Sequence, residues 1–584
     1  MSDLREEAEE LATGKAVAFD GEGDAPADGG NTVLASDGGA ALADGEGAAS
    51  ADGDTAIESG NPSVARSTAL MSVATLFSRA TGLIRTWAMA FALGNSLITS
   101  SYQVANNMPN VIYELVAGGL LAAAFLPIYM LQKERGGEEE GNAFANNLLN
   151  ITIVVLGVLS ILATIFAPQV IATQTFTVSE DAEVYQRAVA FFRIFAMQIV
   201  FYGIGGIITG ILNANRVYFL PSMAPAINNV IVTASFFAYI PLSGFDFELA
   251  VTVLAIGTTL GVAAQFLIQI PALVKLGFRW RPTINLRDPA LVEALKIAAP
   301  TLLYIVGTMV AFSCRNAFSL QAGENGPSTL LYAWTWYQLP YGVIAVSLSR
   351  ALFTEMGEAV AKEDWPNMRQ LVHTGYSATL FLIVPLAGVM ASLGIPIMEL
   401  FQVGAFGGDD VLYVASILAA WLVSLPFYAI VMLLYNIYAS MRKFFRFALV
   451  STVMVVVQCG LYYVLTLPGV LGLVGVPIAD LVYYGVCCII LTIMLRKMIG
   501  SFELGKVLWV VVRVCIATGA AMAVSLFISS IIPEGIGMID GIIRLVVCGG
   551  TALVVAFGLC AVFRVPYMHY VTDLIGKVTR KLKR

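Results

Sequence analysis

Fourteen apolar stretches, each about 20 to 30 residues long, follow one another almost without pause from Val64 to Phe563, and few folds are open to such a chain. A helix that crosses a bilayer needs about 20 predominantly apolar residues. Hydrocarbon cannot satisfy an exposed backbone N–H or C=O, so only helices and closed barrels span it, and runs of this length are helical. The fold class expected is an all-α polytopic membrane protein of about 14 transmembrane helices. The expected spans are 64–94, 98–131, 145–167, 184–212, 217–240, 249–275, 293–318, 328–354, 368–393, 411–440, 445–466, 473–496, 505–532 and 540–563.

Charge is divided unevenly along the chain. The first 60 residues hold 15 acidic and two basic side chains, a balance of −13, while the remainder is +6. That opening segment, rich in Ala, Gly, Asp and Ser, buries too little apolar surface to offset its ordering entropy, so 1–62 reads as a disordered acidic tail. It lacks a basic start followed by an apolar core, and so does not read as a signal peptide. Loops after even-numbered spans carry Lys133 and Arg135, Arg216, Lys275 to Arg287, Lys362, Arg442 and Lys443, and Arg496 and Lys497. The last residues add Lys577, Arg580, Lys581, Lys583 and Arg584, whereas the opposite loops read GNSLITSS, TVSEDAEVY, SGFDFE, AGENGPS, FGGDD and PEGIGMID. By the positive-inside rule both termini are cytoplasmic.

Sliding the chain along itself by about 228 residues reveals a repeat. NMPNVIYELVAGGLLAAAFLP falls on QLPYGVIAVSLSRALFTEM, pairing Pro109 with Pro340. Pro168 pairs with Pro396, and Arg216 with Arg442. Six spans separate the copies, which keeps them in one orientation and implies two six-helix lobes related by an axis along the membrane normal. Spans 13 and 14 lie outside the repeat. The expected domains are the tail 1–62, an N-terminal lobe 63–290, a C-terminal lobe 291–498, a helix pair 499–565 and a basic cytoplasmic tail 566–584.

The seven cysteines sit in apolar runs without metal-ligand spacing and read as small hydrophobes of helix packing. His373 and His569 are far apart, no acidic cluster accompanies them, and no cofactor is expected. No paired membrane carboxylates, Ser/His constellation or phosphate-binding glycine loop is present, so the chain is not read as an enzyme.

SRATGLIR at Ser78 to Arg85, followed by NMPNVIYELVAGGLLAAAFLP, resembles the first two helices of the MurJ (MviN) family of lipid II flippases. GILNANRVYFLPSMAPAINN, QIPALVKLGFRWRPTINLRDP and LFQVGAF at Leu400 to Phe406 are similar to later family segments in the same order. The resemblance covers about residues 62–500. It implies a two-lobed fold of the multidrug, oligosaccharidyl-lipid and polysaccharide exporter type in the bacterial plasma membrane. The implied substrate is lipid II, a polyprenyl pyrophosphate carrying the disaccharide-pentapeptide of peptidoglycan. Other implied partners are membrane lipids and, through the acidic tail, cell-wall synthesis proteins; no nucleic acid is expected. Such a headgroup crosses hydrocarbon only at a large cost, which a wet cationic cavity removes by opening first inward and then outward. The helix pair then makes a groove for the lipid tail.

Arg79 and Arg85 match the helix 1 arginines of the family pattern. An intramembrane cation is costly unless it faces a cavity or partner, and guanidinium forks suit pyrophosphate oxygens. Six residues set the pair about 120° apart, and Gly82 is the expected bend that would turn both toward one cavity. Arg85 alternatively snorkels to the interface. Glu114 is expected to pair with one of these arginines or, alternatively, to take part in proton coupling. Arg193 and Arg315 are the further candidate cations, Arg315 with an interfacial alternative, and Asp480 falls close to the outer surface. Pro109 and Pro340 are the candidate bending elements of alternating access. Where family members usually carry an arginine in helix 2, Tyr113 and Glu114 stand, and the usual helix 8 arginine falls on about Thr335. Family carboxylates fall near Ser100 and Cys314. Alternatives therefore stay open: an exporter of another lipid-linked oligosaccharide or a drug, or a non-transporting cell-wall scaffold.

Overall fold

A computed structural model describes residues 62–568 apart from 119–124, 343–345, Glu534 and Ile536; the acidic tail and His569 with the basic end lie outside the described residues. Among the described residues every regular element is helical. The first half runs α1 (Pro62–Leu93), α2 (Leu97–Tyr113), α3 (Leu126–Ile165), α4 (Ala167–Thr175), α5 (Glu183–Phe195), α6 (Gln198–Ala214), α7 (Phe219–Ser243), α8 (Phe247–Leu267) and α9 (Ile270–Lys275). The second runs α10 (Pro289–Ala322), α11 (Gly326–Pro340), α12 (Val346–Ala361), α13 (Trp365–Ser392), α14 (Gly394–Glu399), α15 (Gly408–Leu422), α16 (Leu425–Ser440), α17 (Phe444–Leu465) and α18 (Gly475–Ile499). The chain closes with α19 (Leu504–Ile531), α20 (Met538–Arg544) and α21 (Gly550–Val562).

These helices are built for lipid, because their outward stripes are more apolar than their inward ones. On α3, Val154, Val158, Ile161 and Ile165 are exposed while Asn146, Asn147, Asn150 and Ser160 are buried. On α17, Leu449, Val453 and Val456 face out while Ser451, Gln458 and Tyr462 face in. A water-soluble bundle would bury the valines; in hydrocarbon the polar groups turn inward to find one another. Nine described helices are long and apolar enough to cross a bilayer, or eleven if the bent pairs α5 with α6 (45°) and α15 with α16 (50°) are single spans. The other three expected spans, 64–94, 98–131 and 328–354, are not among these; α1, α2 with the π-helical turn after it, and α11 with α12 overlap their bounds.

The repeat has a backbone counterpart. Arg216 and Arg442 both adopt left-handed φ, 58° and 54°, at the ends of α6 and α16. Arg216 N–H donates to Asn213 O and Val217 N–H to Leu212 O; Arg442 and Lys443 donate in the same pattern to Ala439 O and Tyr438 O. Two identical helix stops, each satisfying otherwise orphaned carbonyls, mark equivalent places. Beyond Pro109 and Pro340 the helices also behave alike: α2 passes into a π-helical turn at Glu114–Gly118, and Tyr341 and Gly342 are π-helical too. Proline lacks the N–H that the ladder needs, and a wider turn absorbs the mismatch.

Packing gathers the helices into two bundles. In the first, α1 lies on α7, α7 on α8, α2 on α5 and α3 on α6; in the second, α10 lies on α17, α17 on α18, α13 on α16 and α11 on α15. The bundles meet where α2 touches α11 and α4 touches α10. The last helices pack on each other and on α13. Each is capped by an arginine near the start of the other. Arg544 donates to Ser529 O (2.9 Å), Ile532 O (3.3 Å) and Pro533 O (3.1 Å) at the end of α19, and Arg513 donates to Phe563 O (3.2 Å) at the end of α21. Cations at helix C-termini satisfy both the loose carbonyls and the helix dipole.

Candidate functional site

The seam between the bundles holds the polar and charged chemistry. On the face opposite the basic turns it is closed. Asn95, in the short turn between α1 and α2, donates to Thr329 Oγ1 (3.0 Å) and Asp410 Oδ1 (3.2 Å) and accepts from Ser328 Oγ (2.5 Å). Tyr332 O–H donates to Gly94 O (2.9 Å), and Ser328 N–H to Ser100 Oγ (3.3 Å). Backbones also touch, since Ala405 N–H donates to Phe91 O (3.0 Å). This approach explains two glycines: Gly94 and Gly404 both have left-handed φ, and a Cβ on either would overlap a carbonyl oxygen of the other bundle, Ala405 O or Phe91 O. The LFQVGAF motif is therefore a seal. A second cross-bundle contact on the same face joins Gln174 to Asn316 (3.0 Å) and Ser313, and Thr177 to Ala317 O.

Deeper in the seam lie the helix 1 arginines. Asn229 of α7 donates to Ser78 O (3.4 Å) and Thr81 Oγ1 (3.3 Å), pinning the middle of α1 to its own bundle. Arg79 and Arg85 are both half-buried. Arg79 crosses the seam, so that its Nη1 would lie 2.8 Å from a Cβ built on Gly342, just past Pro340. The charge of Arg85 also acts on Tyr102 of the first bundle, whose hydroxyl meets Thr258 Oγ1 at 3.1 Å. α1 runs as one uninterrupted helix through Gly82, so the two cations keep their angular separation and meet different surroundings.

Other expected site residues are placed differently. Glu114 is buried, and its hydrogen-bond partner is Asn110, whose Nδ2 donates at 3.3 Å; the expected pairing with Arg79 or Arg85 is not formed. The π turn that begins at Glu114 carries its side chain away from the regular helical register. Arg193 lies on the exposed stripe of α5, while Phe192 and Phe195 take the inward face. Its carrier helix is amphipathic, and the phenylalanines claim the interior. Arg315 does not snorkel: it is buried, with its Cζ 5.3 Å from the ring centres of Phe312 and Trp334 and 6.0 Å from that of Trp421.

Asp480, expected close to the outer surface, stands near the start of α18 and is enclosed by protein, 1% exposed. It accepts from Trp421 Nε1 (2.7 Å), Gln458 Nε2 (2.7 Å) and the Tyr462 hydroxyl. Arg315 and Asp480 thus approach one indole from two sides, tying α10, α15, α17 and α18 together. Three donors fix the orientation of the carboxylate inside the bundle. Asn107 also escaped notice: it is buried on α2, and among the described residues neither amide atom has a hydrogen-bond partner. A polar side chain inside an apolar run was the available signal.

A helical membrane chain with two repeated bundles, closed on one face and holding cations in the seam between them, has the architecture of an alternating-access exporter. The sequence model described as "Lipid II flippase MurJ" matches residues 89–546, and the chain belongs to that family. A probable lipid II flippase MurJ of Bdellovibrio bacteriovorus is 26% identical over 513 residues, covering 87% of this chain and 96% of that protein. The lipid II flippase MurJ of Burkholderia cenocepacia is 27% identical over 360 residues, covering 60% and 69%. Among solved structures, a lipid II flippase MurJ in an inward closed conformation superposes with a TM-score of 0.68 at 23% identity, over 87% of this chain and 99% of that one. A multidrug resistance MATE family transporter in an inward-facing conformation gives 0.62 at 17% identity, over 73% and 95%. At these identities the structures speak for the fold.

Proposed function

We propose that this chain is a lipid II flippase of a bacterial plasma membrane, moving the headgroup of a polyprenyl-pyrophosphate-linked disaccharide-pentapeptide from the inner to the outer leaflet by alternating access. Both termini are cytoplasmic, the basic turns face the cytoplasm, and the sealed face is the outer one. The moving bodies are the lobes 63–290 and 291–498, and the pair 499–565 accommodates the lipid tail. No reaction is catalysed; the chain is a transporter. The observation that carries this reading beyond family membership is the seam, sealed on one face by Asn95 and cationic at Arg79. In the state described, the headgroup has no exit on the sealed face. Opening there requires Asn95, Ser328 and Thr329 to part, while the matched breaks beyond Pro109 and Pro340 supply the flexing points.

Arg79 and Arg85 take the pyrophosphate, because a guanidinium in a low-dielectric seam pairs far more strongly with an anion than it does in water. Arg315, enclosed by aromatic rings, and Arg193, on the exposed stripe, are left out of the headgroup site. Conditional depletion in the native host tests the reading, scored by the fraction of lipid-linked precursor that can be labelled from outside the cell. Precursor should accumulate while its outward fraction collapses, and an Arg79→Ala copy should fail to restore it. An unchanged outward fraction on depletion would refute the assignment.

A further inference from the structure

We propose that Gly342 is a positioning residue for Arg79: its missing side chain is the seat that holds a cation of the first bundle against the helix break of the second. This rests on the assignment of Arg79 to the headgroup. A Cβ built at Gly342 would stand 2.8 Å from Arg79 Nη1, 3.7 Å from Cζ and 3.8 Å from Nη2, so the whole guanidinium lies over that backbone. All three atoms are the far end of one flexible side chain. A methyl group there would displace the cation before it displaced a helix.

The surroundings explain why the seat is at this place. Pro340 cannot donate to the carbonyl one turn earlier, and Tyr341 and Gly342 continue in a π-helical turn where the ladder changes register. An interrupted ladder is where backbone carbonyls retain capacity for donors, and a guanidinium carries five. Arg79 is thus anchored by its backbone to α1, which Asn229 pins to the first bundle, while its charged end rests on the second. Separation of the bundles at this depth would withdraw the seat. The cation is then presented at one place in the closed seam and released in the other state, which couples headgroup affinity to the lobe movement.

The test is the affinity of the full-length protein in lipid nanodiscs for lipid II, measured for the parent, Arg79→Ala, Gly342→Ala and the double variant. Gly357→Ala, where a Cβ meets nothing within 4 Å, is the control and should bind like the parent. Gly342→Ala should weaken binding by about tenfold, as loss of one charge-assisted contact does, and the double variant should be no weaker than Arg79→Ala alone. If Arg79→Ala weakens binding and Gly342→Ala does not, the seat is refuted and the headgroup assignment stands. If Arg79→Ala itself binds like the parent, both fall. Losses that multiply in the double variant would mean that Gly342 acts independently of Arg79, which also refutes the proposal. Should Gly342→Ala reduce the folded yield, the double variant decides: recovery on removing the Arg79 side chain supports the seat, and persistent loss overturns it.

Discussion

Replacing Asn95 by alanine should open the sealed face. Its amide is the centre of the closure, bonded to Ser328, Thr329 and Asp410, all from the other bundle. A neutral hydrogen bond contributes about 1 kcal/mol net, and one to a half-buried carboxylate such as Asp410 about 1.5 kcal/mol, so truncation removes roughly 3.5 kcal/mol from the closed arrangement. The open arrangement loses little, because there the amide is met by water. A bias of that size shifts the ratio of closed to open by roughly two to three orders of magnitude. Ser100 is fully buried behind the seal, and its hydroxyl accepts from Ser328 N–H. A cysteine at that position, in a background whose seven native cysteines are replaced, reports opening through its labelling rate with a membrane-impermeant maleimide applied from outside. Asn95→Ala should raise that rate by roughly a hundredfold. An unchanged rate in a variant that inserts and folds normally would show that the closure does not depend on this residue, and the argument from its hydrogen bonds would be wrong.

Three further outcomes follow from buried charges. Asp480→Asn should lower thermal stability in detergent by about 1 to 3 kcal/mol, because the new amide nitrogen turns a donor toward groups that donate to the carboxylate, Trp421 Nε1, Gln458 Nε2 and the Tyr462 hydroxyl; a stability unchanged by the substitution would dismiss the carboxylate as a structural tie. Arg544→Ala should cost about 3 to 5 kcal/mol, since it strands buried Asp540, to which Arg544 Nε donates at 2.7 Å, and uncaps α19; limited proteolysis near residues 529–540 should then accelerate, and resistance equal to the parent's would count against it. At the sealed face, burial first and the neighbouring Asp540 charge second push the Glu399 carboxyl above its ordinary 4.5, with Arg544 opposing. A raised carboxyl favours the folded state below the ordinary value and loses that contribution as pH rises through the raised one, so Glu399→Gln should flatten the fall of the melting temperature on that side; a parallel pH profile would exclude it.

The spans, their order and the repeat were legible because they follow from what lipid demands of a backbone. Twenty apolar residues are visible in any sequence, and so is the spacing between Pro109 and Pro340. Side-chain direction within the membrane was much less legible. Arg193 and Arg315 look alike as isolated cations in apolar runs, yet one lies on an exposed stripe and the other is enclosed by Trp334 and Trp421, residues that only the packing of α10, α11 and α15 brings near. Asp480 stands near the end of a span by its place in the sequence, which does not say whether protein encloses it. Its burial depends on Trp421, Gln458 and Tyr462, which stand 59, 22 and 18 residues away in sequence.

The same distinction explains why LFQVGAF could be matched to a family but not understood from its letters. A glycine before a small residue signals a turn, and Gly404 does adopt a left-handed φ of 61°. What the sequence alone cannot state is that Phe91 O, more than 300 residues earlier, occupies the space where a Cβ would be. Conformation could be met by an asparagine at modest cost, whereas the close approach cannot. The contact needs glycine on both sides, at Gly94 and Gly404, one from each bundle. The two glycines are therefore a single device that lets backbone meet backbone across the seam, and side-chain bulk at either should hold the sealed face apart.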